Sequence, residues 1–243
     1  MLELIEDEAF NDLHQLTKIE EGLLLANTGN ESIDFISLPD TTIRRMDLLS
    51  SDLRALRPSR TQSEDIKPHL HHVASACLNS DGEVIVGLGR QARILNATRW
   101  EWIGPWLHAG LHDVHYTSDG ALWCTTIDGQ VHRLGEDGDH RTWQVGLYQD
   151  RVGWTRGLAL TAGGMLVGTT ALRESNRDYY QAMARSRGST ADACLAWIPF
   201  EKGQSAVIGF AGSGSRKVFS ICAMLPTRTF LRSCRHSGRS HAF

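Results

Sequence analysis

Acidic residues are missing from the last part of this chain of 243 residues: none follows Glu201. Seven basic residues lie in that stretch, between Lys202 and Arg239. The formal net charge of the whole chain is −3, so no overall positive field favours nucleic acid, and we do not expect nucleic acid as a partner. We therefore predict a basic, disordered or non-native tail over residues 226–243, separate from a single domain over residues 1–225.

Long apolar runs are also missing. No segment approaches the roughly 20 apolar residues that span a bilayer, and the N-terminal segment MLELIEDEAF is acidic and unlike a secretory signal. The 5 cysteines are odd in number and form no Cys-x-x-Cys pair, which favours reduced thiols. These absences predict a cytoplasmic protein with no membrane partner.

Proline is scarce at 6 residues, whereas glycine is frequent at 23, a balance typical of many tight turns between strands. A strand-turn-strand pattern occurs four times, with Asp-Gly, Glu-Gly or Gly-Gly in its first turn. Its copies are residues 13–38, 70–96, 111–135 and 155–174. A further strand follows each copy, over residues 41–49, 100–106, 140–148 and 205–211.

Four antiparallel strands per unit predict an all-β protein of the β-propeller class, with four clear blades. The alternatives are a β-sandwich, which does not explain the same Leu-His or Arg-Gly opening of each unit, and a β-solenoid, which has a shorter period. A fifth blade begins within residues 217–225 and is not completed, which predicts a truncated six-bladed propeller. The polar segment 50–67 is predicted to be a loop with one helical turn.

The segment LLLANTGNESIDFI resembles the NHL repeat, whose signature is a strand and turn reading Val-Ala-Asp-Thr-Gly-Asn-Asn. The looser copies resemble the six-bladed gluconolactonase group, the SMP-30 or regucalcin-like enzymes. That group holds a metal through carboxylate and amide oxygens around the channel, but here histidine stands where those ligands would be. The resemblance therefore implies the propeller but not calcium-dependent lactonase chemistry.

Histidine opens the repeat three times, at His14, His71 and His112, and Arg156 opens the fourth copy. In the propeller that the resemblance implies, the innermost strand of each blade begins at the mouth of the central channel. We therefore expect these four side chains to form a partial ring there, beside Asp113. A long insertion over residues 174–194 is expected to lie above the same mouth as a lid, to which Arg173 and Glu174 belong.

Three functions fit this ring. The first is binding of a small molecule or anion, because guanidinium grips carboxylate or phosphate. The second is a metal-dependent hydrolase or lyase, with a divalent ion on His14, His71 and His112 and with Asp113 or Glu174 as the base. The third is a protein-interaction scaffold without catalysis, in which the histidines hydrogen-bond neighbouring blades.

Two other segments are predicted to have structural roles. The segment RWEWIGPW over residues 99–106 is predicted to be an outer strand whose tryptophans pack between blades. The residues Asp137, Asp139 and His140 resemble a metal cluster, but their sequence GEDGDHR is typical of a solvated hairpin turn.

Overall fold

Four antiparallel sheets of four strands form the body of the protein in a computed structural model. The structure describes residues 4–38, 40–56, 61, 69–145, 151–152, 154–171, 189–190, 193–201 and 206–209. Each sheet corresponds to one copy of the sequence repeat, which confirms the predicted all-β propeller with four blades. The predicted fifth blade, the basic tail and the lid residues Arg173 and Glu174 lie outside the described residues.

The first two blades are built from strands that run in sequence order from the innermost to the outermost. Blade 1 contains β1 (Leu13–Ile19), β2 (Gly22–Asn27), β3 (Ser32–Ser37) and β4 (Ile43–Asp47). A short helix, α1 (Ser51–Leu56), follows in the segment predicted to contain a helical turn. Blade 2 contains β5 (Val73–Leu78), β6 (Val84–Leu88), β7 (Arg93–Asn96) and β8 (Glu101–Ile103).

The other two blades repeat this order. Blade 3 contains β9 (Leu111–Tyr116), β10 (Leu122–Thr126), β11 (Gln130–Leu134) and β12 (His140–Gln144). Blade 4 contains β14 (Trp154–Thr161), β15 (Gly164–Thr170), β17 (Cys194–Pro199) and β18 (Ala206–Gly209). Two short strands, β13 (Arg151–Val152) and β16 (Ser189–Thr190), form a separate parallel pair.

The Asp-Gly turns close the hairpins as predicted. Gly82 and Gly120 have φ angles of 75° and 80°, in the left-handed region that glycine enters without a Cβ clash. Their N–H groups donate to the carbonyls of Asn79 and Thr117 at 3.1 and 3.0 Å. The turn chemistry therefore fixes where the first strand of each of these blades ends.

Apolar side chains fill the spaces between successive blades in three clusters. The first includes Leu24 and Ile33 of blade 1 with Val86 of blade 2, and all three are buried. A fully buried aliphatic side chain contributes roughly 1.5–3 kcal/mol through removal of apolar surface from water. Packing of blade on blade therefore contributes substantially to the free energy of folding.

The tryptophans of RWEWIGPW do not pack between blades, so that prediction is wrong. Trp100, Trp102 and Trp106 are 58%, 46% and 57% exposed. β8 is only three residues long and outermost, and the contact with blade 3 is made by the neighbouring Ile103 and Leu107 instead. The three indoles therefore face outward on blade 2.

Three of the cysteines, Cys77, Cys124 and Cys194, are buried as thiols, in agreement with the predicted reduced cysteines. Burial raises the pKa of the Cys77 thiol to about 12, which leaves it uncharged and unreactive at neutral pH. In the described part of the chain, no helix is long and apolar enough to cross a membrane.

Candidate ligand-binding site

A hydrogen bond crosses each boundary between innermost strands at the point where the strand register shifts. The acceptor is a polar side chain of one blade, and the donor is a backbone N–H of the next blade. The three bonds are Ala76 to Gln15 Oε1 at 3.0 Å, Val114 to Ser75 Oγ at 3.0 Å and Gly157 to Asp113 Oδ2 at 2.6 Å. We call this set the inter-blade ladder.

The ladder defines which residues of the four blades are equivalent. Ser75 and Asp113 directly precede the residues whose N–H groups donate, and Arg156 holds the same place before Gly157 in blade 4. His14 and His112 each precede a ladder acceptor, so they are equivalent to each other. His71 and Arg156 do not occupy the position of these two histidines in their own blades. Their predicted equivalence to His14 and His112 is therefore wrong.

Four imidazoles from three blades meet at this end of the innermost strands; we call them the histidine cluster. The ring of His72 lies 4.7 Å from that of His14, 5.8 Å from that of His112 and 5.0 Å from that of His69. His14 and His112 stack nearly parallel at 6.1 Å. The structure thus brings together two predicted residues, His14 and His112, with two that were missed.

His71 lies apart from the contacts of the histidine cluster. Its Nδ1 is 2.9 Å from Nε2 of Gln91, and its backbone N–H donates to the buried carboxylate of Glu31. His72 has a positive φ of 55°, and β5 begins directly after it. The run His-Leu-His-His over residues 69–72 was the available signal for a cluster, but it did not show which of its histidines faces inward.

Blade 4 adds an indole and a guanidinium to the cluster. The ring of Trp154 lies 5.8 Å from that of His112, and Cζ of Arg156 lies 5.8 Å from the Trp154 ring. The guanidinium of Arg156 is close enough to help lower the pKa values of His14, His72 and His112. The predicted contribution of Arg156 to this site is thus consistent with its position.

Three rings of the cluster, those of His14, His72 and His112, are neutral at pH 7. Burial, with the nearby charge of Arg156, lowers the pKa of His14 to about 4. Burial and the neighbouring histidines lower the pKa of His72 to about 3, and burial holds the pKa of His112 well below its usual value. Arg156 is therefore the positive charge beside these three rings.

The contacts around Asp12 orient the rings. Nδ1 of His14 is 3.0 Å from the carbonyl oxygen of Asp12, which can only accept, so Nδ1 carries the proton and Nε2 is left as an acceptor. Nε2 of His69 lies 3.3 Å from Oδ2 of Asp12, in a contact that lacks hydrogen-bond geometry. Burial acts to raise the pKa of Asp12, but the contacts with His69 and His14 outweigh it and lower the pKa.

Nδ1 of His69 is buried and has no hydrogen-bond partner, although its side chain is only 5% exposed. Leaving a buried polar nitrogen unsatisfied costs about 1–3 kcal/mol, and native proteins contain few such groups. This atom is therefore a candidate contact for a bound molecule.

Asp113 has a structural position in the ladder. It is buried between blades 3 and 4, where it accepts from Gly157 and from Oγ1 of Thr125 at 3.4 Å. Burial raises the pKa of Asp113 to about 6, against the opposing effect of the Gly157 hydrogen bond. The structure thus assigns this predicted ligand residue an inter-blade contact.

Two substitutions of Asp113 are expected to show separately how its charge and its hydrogen bond to Gly157 affect stability. A carboxyl with a raised folded pKa contributes stability below its unfolded pKa of 3.8 and loses it as pH rises through about 6. We expect Asp113→Asn to unfold with a free energy about 1–3 kcal/mol higher than the parent at pH 7.5, and the difference to shrink toward pH 4. Urea denaturation at both pH values measures this.

Asp113→Ala is the matched variant, because it removes both the charge and the acceptor for Gly157. We expect it to be about 1–3 kcal/mol less stable than Asp113→Asn at both pH values. Equal stability of the two variants would show that the hydrogen bond to Gly157 contributes nothing to folding.

The described residues contain no group of three or more His, Cys, Asp or Glu side chains arranged to hold a metal ion. In particular, His14 and His112 approach each other, but the contact of His71 with Gln91 turns the third predicted ligand elsewhere. The predicted three-histidine set is therefore not assembled.

Comparison with solved structures supports the propeller fold. No protein-family model matches the sequence, and the search of curated proteins finds no match. A catalytically inactive variant of virginiamycin B lyase from Staphylococcus aureus with quinupristin is similar at 14% identity and a TM-score of 0.50, covering 88% of this chain. This chain spans 60% of the length of that lyase.

Other similar structures come from proteins of different kinds. A gluconolactonase-like protein has 18% identity and a TM-score of 0.49, covering 84% of this chain and 64% of that one. The Neurospora crassa Pan2 WD40 domain has 11% identity and a TM-score of 0.48, covering 82% of this chain and 52% of that one. Identities this low show a common fold alone. The chain is a β-propeller, as its four four-stranded sheets and its similarity in fold to virginiamycin B lyase show.

Proposed function

We propose that this protein binds a small anionic molecule, such as a carboxylate or phosphate, at the mouth of the propeller channel. The observation that carries the proposal is the convergence of the histidine cluster and Arg156 from four blades, with the unpartnered Nδ1 of His69 beside them. Groups buried together at the end of a channel form the concave, partly polar setting typical of ligand sites.

The chemistry of the site favours an anion over a cation. Arg156 supplies a permanent positive charge with several N–H donors, which suits carboxylate or phosphate oxygens. The lowered pKa values of His14 and His72 keep these rings neutral. They therefore offer hydrogen bonds to a ligand, while Arg156 supplies the positive charge. Trp154 and the ring faces of the histidines supply apolar surface for the rest of the molecule.

Binding of inorganic phosphate and of oxalate tests the proposal. A ligand that binds only the folded state raises the melting temperature by mass action. We expect both anions at millimolar concentration and low salt to raise the melting temperature of the parent, and the rise to disappear in Arg156→Ala. A rise of the same size in Arg156→Ala would refute the proposal.

Arg141→Ala is the matched control for loss of one positive charge. Arg141 lies on β12 with its side chain exposed and paired to Asp139, away from the contacts of the histidine cluster. We expect this variant to keep the full response to phosphate and oxalate. A loss in both variants would identify a nonspecific effect of net charge.

The other two predicted functions have less support. A metal-dependent hydrolase or lyase requires convergent ligands, which the described residues do not supply at the channel mouth. A protein-interaction scaffold is favoured by a separate feature, the exposed tryptophans of blade 2. Arg173 and Glu174 stay predictions as further ligand contacts, because they lie outside the described residues.

A further inference from the structure

Two histidines and a threonine form a compact group on the outer strands of blade 3. His132 of β11 pairs directly with Thr142 of β12, and His140 lies two residues before Thr142 on the same face. Nδ1 of His132 is 3.1 Å from Nε2 of His140 and 3.3 Å from Oγ1 of Thr142. Oγ1 of Thr142 is 3.4 Å from Nε2 of His140, so the two nitrogens and the oxygen form a triangle.

The dimensions of this triangle match one face of a metal coordination shell. Zinc binds histidine nitrogen at about 2.0–2.1 Å in tetrahedral geometry, so two neighbouring ligand atoms lie about 3.3–3.4 Å apart. The three edges of the triangle fall within a few tenths of an ångström of that spacing. A single ion can therefore contact all three atoms with little movement of the strands.

A buried relay fixes the tautomer of His132. Oγ1 of Thr126 donates to Oδ1 of Asp128 at 2.6 Å. The oxygen of Thr126 is then free to accept from Nε2–H of His132, which is 3.2 Å away. Nδ1 of His132 consequently carries a lone pair directed at His140 and Thr142.

Such a relay is the usual support of a metal-bound histidine, whose second nitrogen donates to an oxygen and holds the ring in place. Access is open on the other side, because His140 and Thr142 are exposed whereas His132 is buried. The buried ring is thus positioned by the protein, and the exposed ring is free to adjust to an ion arriving from solvent.

The equivalent place in the other blades is occupied differently. In blade 1 it is filled by Asp34 and Arg45, which form a close ion pair with atoms 2.6 Å apart. In blade 2 the paired residues are Leu95 and Trp102. The fold therefore does not require histidine at this place. Blade 3 differs from blades 1 and 2 in having two imidazoles close together there.

We propose that His132, His140 and Thr142 form a surface site for a divalent transition-metal ion of the zinc or copper type, with water completing the coordination. Neutral imidazole is a ligand that these ions prefer, and the site is separate from the histidine cluster. The proposal is independent of the anion-binding function, since neither Arg156 nor any cluster histidine takes part.

The proposal is tested with Zn²⁺ and Cu²⁺ on the full chain and on His140→Gln. Glutamine keeps a donor for Nδ1 of His132 but removes the imidazole ligand. We expect calorimetry to show one Zn²⁺ equivalent in the parent whose affinity falls at least tenfold in His140→Gln. The electron paramagnetic resonance spectrum of bound Cu²⁺ is expected to show coupling to two nitrogens in the parent and to lose one in the variant.

Two controls identify the site. His108→Gln removes an exposed histidine of blade 2, and His14→Gln removes one from the histidine cluster. Both are expected to keep the Zn²⁺ equivalent and the copper spectrum of the parent. Unchanged binding in His140→Gln, or an equal loss in either control, would overturn the assignment, and a circular dichroism melt without metal verifies that each variant is folded.

Discussion

Acidification from pH 7 to pH 4.5 is expected to remove several kcal/mol from the free energy of unfolding. Four histidines that are buried or half-buried have lowered pKa values, chiefly through burial: His14, His72, His112 and His115. A histidine with a lowered folded pKa stabilises the folded state fully above its unfolded pKa of about 6.5 and loses that contribution as pH falls toward the folded value. Each contributes up to about 1.4 kcal/mol per pH unit in this window.

Asp113 acts in the opposite direction. Because burial raises its pKa to about 6, its protonation between pH 6 and pH 4 favours the folded state and offsets roughly the effect of one histidine. The histidines outnumber it, so the net expectation is a loss of stability on acidification. The pKa of His115 lies near 4, and its buried Nε2 lacks a hydrogen-bond partner, so this residue gives a clean single-site test.

Urea denaturation at half-unit pH intervals measures the effect. As pH falls, we expect the unfolding free energy to decrease more steeply per pH unit than one titrating group would cause. In His115→Asn the slope is expected to be smaller by about the contribution of one group. The exposed His108 supplies the control, because His108→Asn is expected to leave the slope unchanged. A flat profile between pH 7 and pH 4.5 would contradict the burial of the histidines.

Gly87→Ala is expected to destabilise the protein by about 3 kcal/mol or to prevent folding. Gly87 lies on β6, where blade 2 meets blade 3, and a Cβ there would lie 2.3 Å from Cδ2 of Leu111 and 2.7 Å from Cγ2 of Val114. It would also lie 2.5 Å from Oγ of Ser75, the ladder acceptor. Overpacking of a dense interior costs about 1–3 kcal/mol, and loss of the hydrogen bond adds to it.

Gly163→Ala is the matched control, because a Cβ at that turn meets no atom within 4 Å and its backbone needs no positive φ. We expect it to melt within a degree or two of the parent, while the melting temperature of Gly87→Ala falls by several degrees. If both variants melt with the parent, blades 2 and 3 do not pack as closely as described.

The fold was predictable because its signals are local. Asp81-Gly82 and Asp119-Gly120 set hairpins through the conformational freedom of glycine, and the alternating strands on either side need no knowledge of distant contacts. The outward orientation of Trp102 was not predictable in the same way. A three-residue edge strand can direct its large side chains toward a neighbouring blade or toward solvent, and packing decides between them.

The site was predicted in part. The repeat identified His14, His112 and Arg156, but it assigned His71 where His72 takes part, because a register shift of one residue moves a side chain to another environment. The bulges in this register lie where hydrogen bonds cross between blades, which a single repeat does not reveal. The role of Asp113 was missed for the same reason, since its partner Gly157 lies forty-four residues away.

The ladder also determines how rigid the channel mouth is. Arg156 is attached directly to Gly157, whose N–H is held by a buried carboxylate of the preceding blade, so the backbone that carries the guanidinium is fixed before any ligand arrives. A fixed recognition group loses little entropy on binding, which raises affinity without any added contact. Substitutions at the boundary of blades 3 and 4 are therefore expected to lower the affinity for the proposed anion, because the guanidinium is then less well preorganised. This holds even for substituted residues that do not contact the anion.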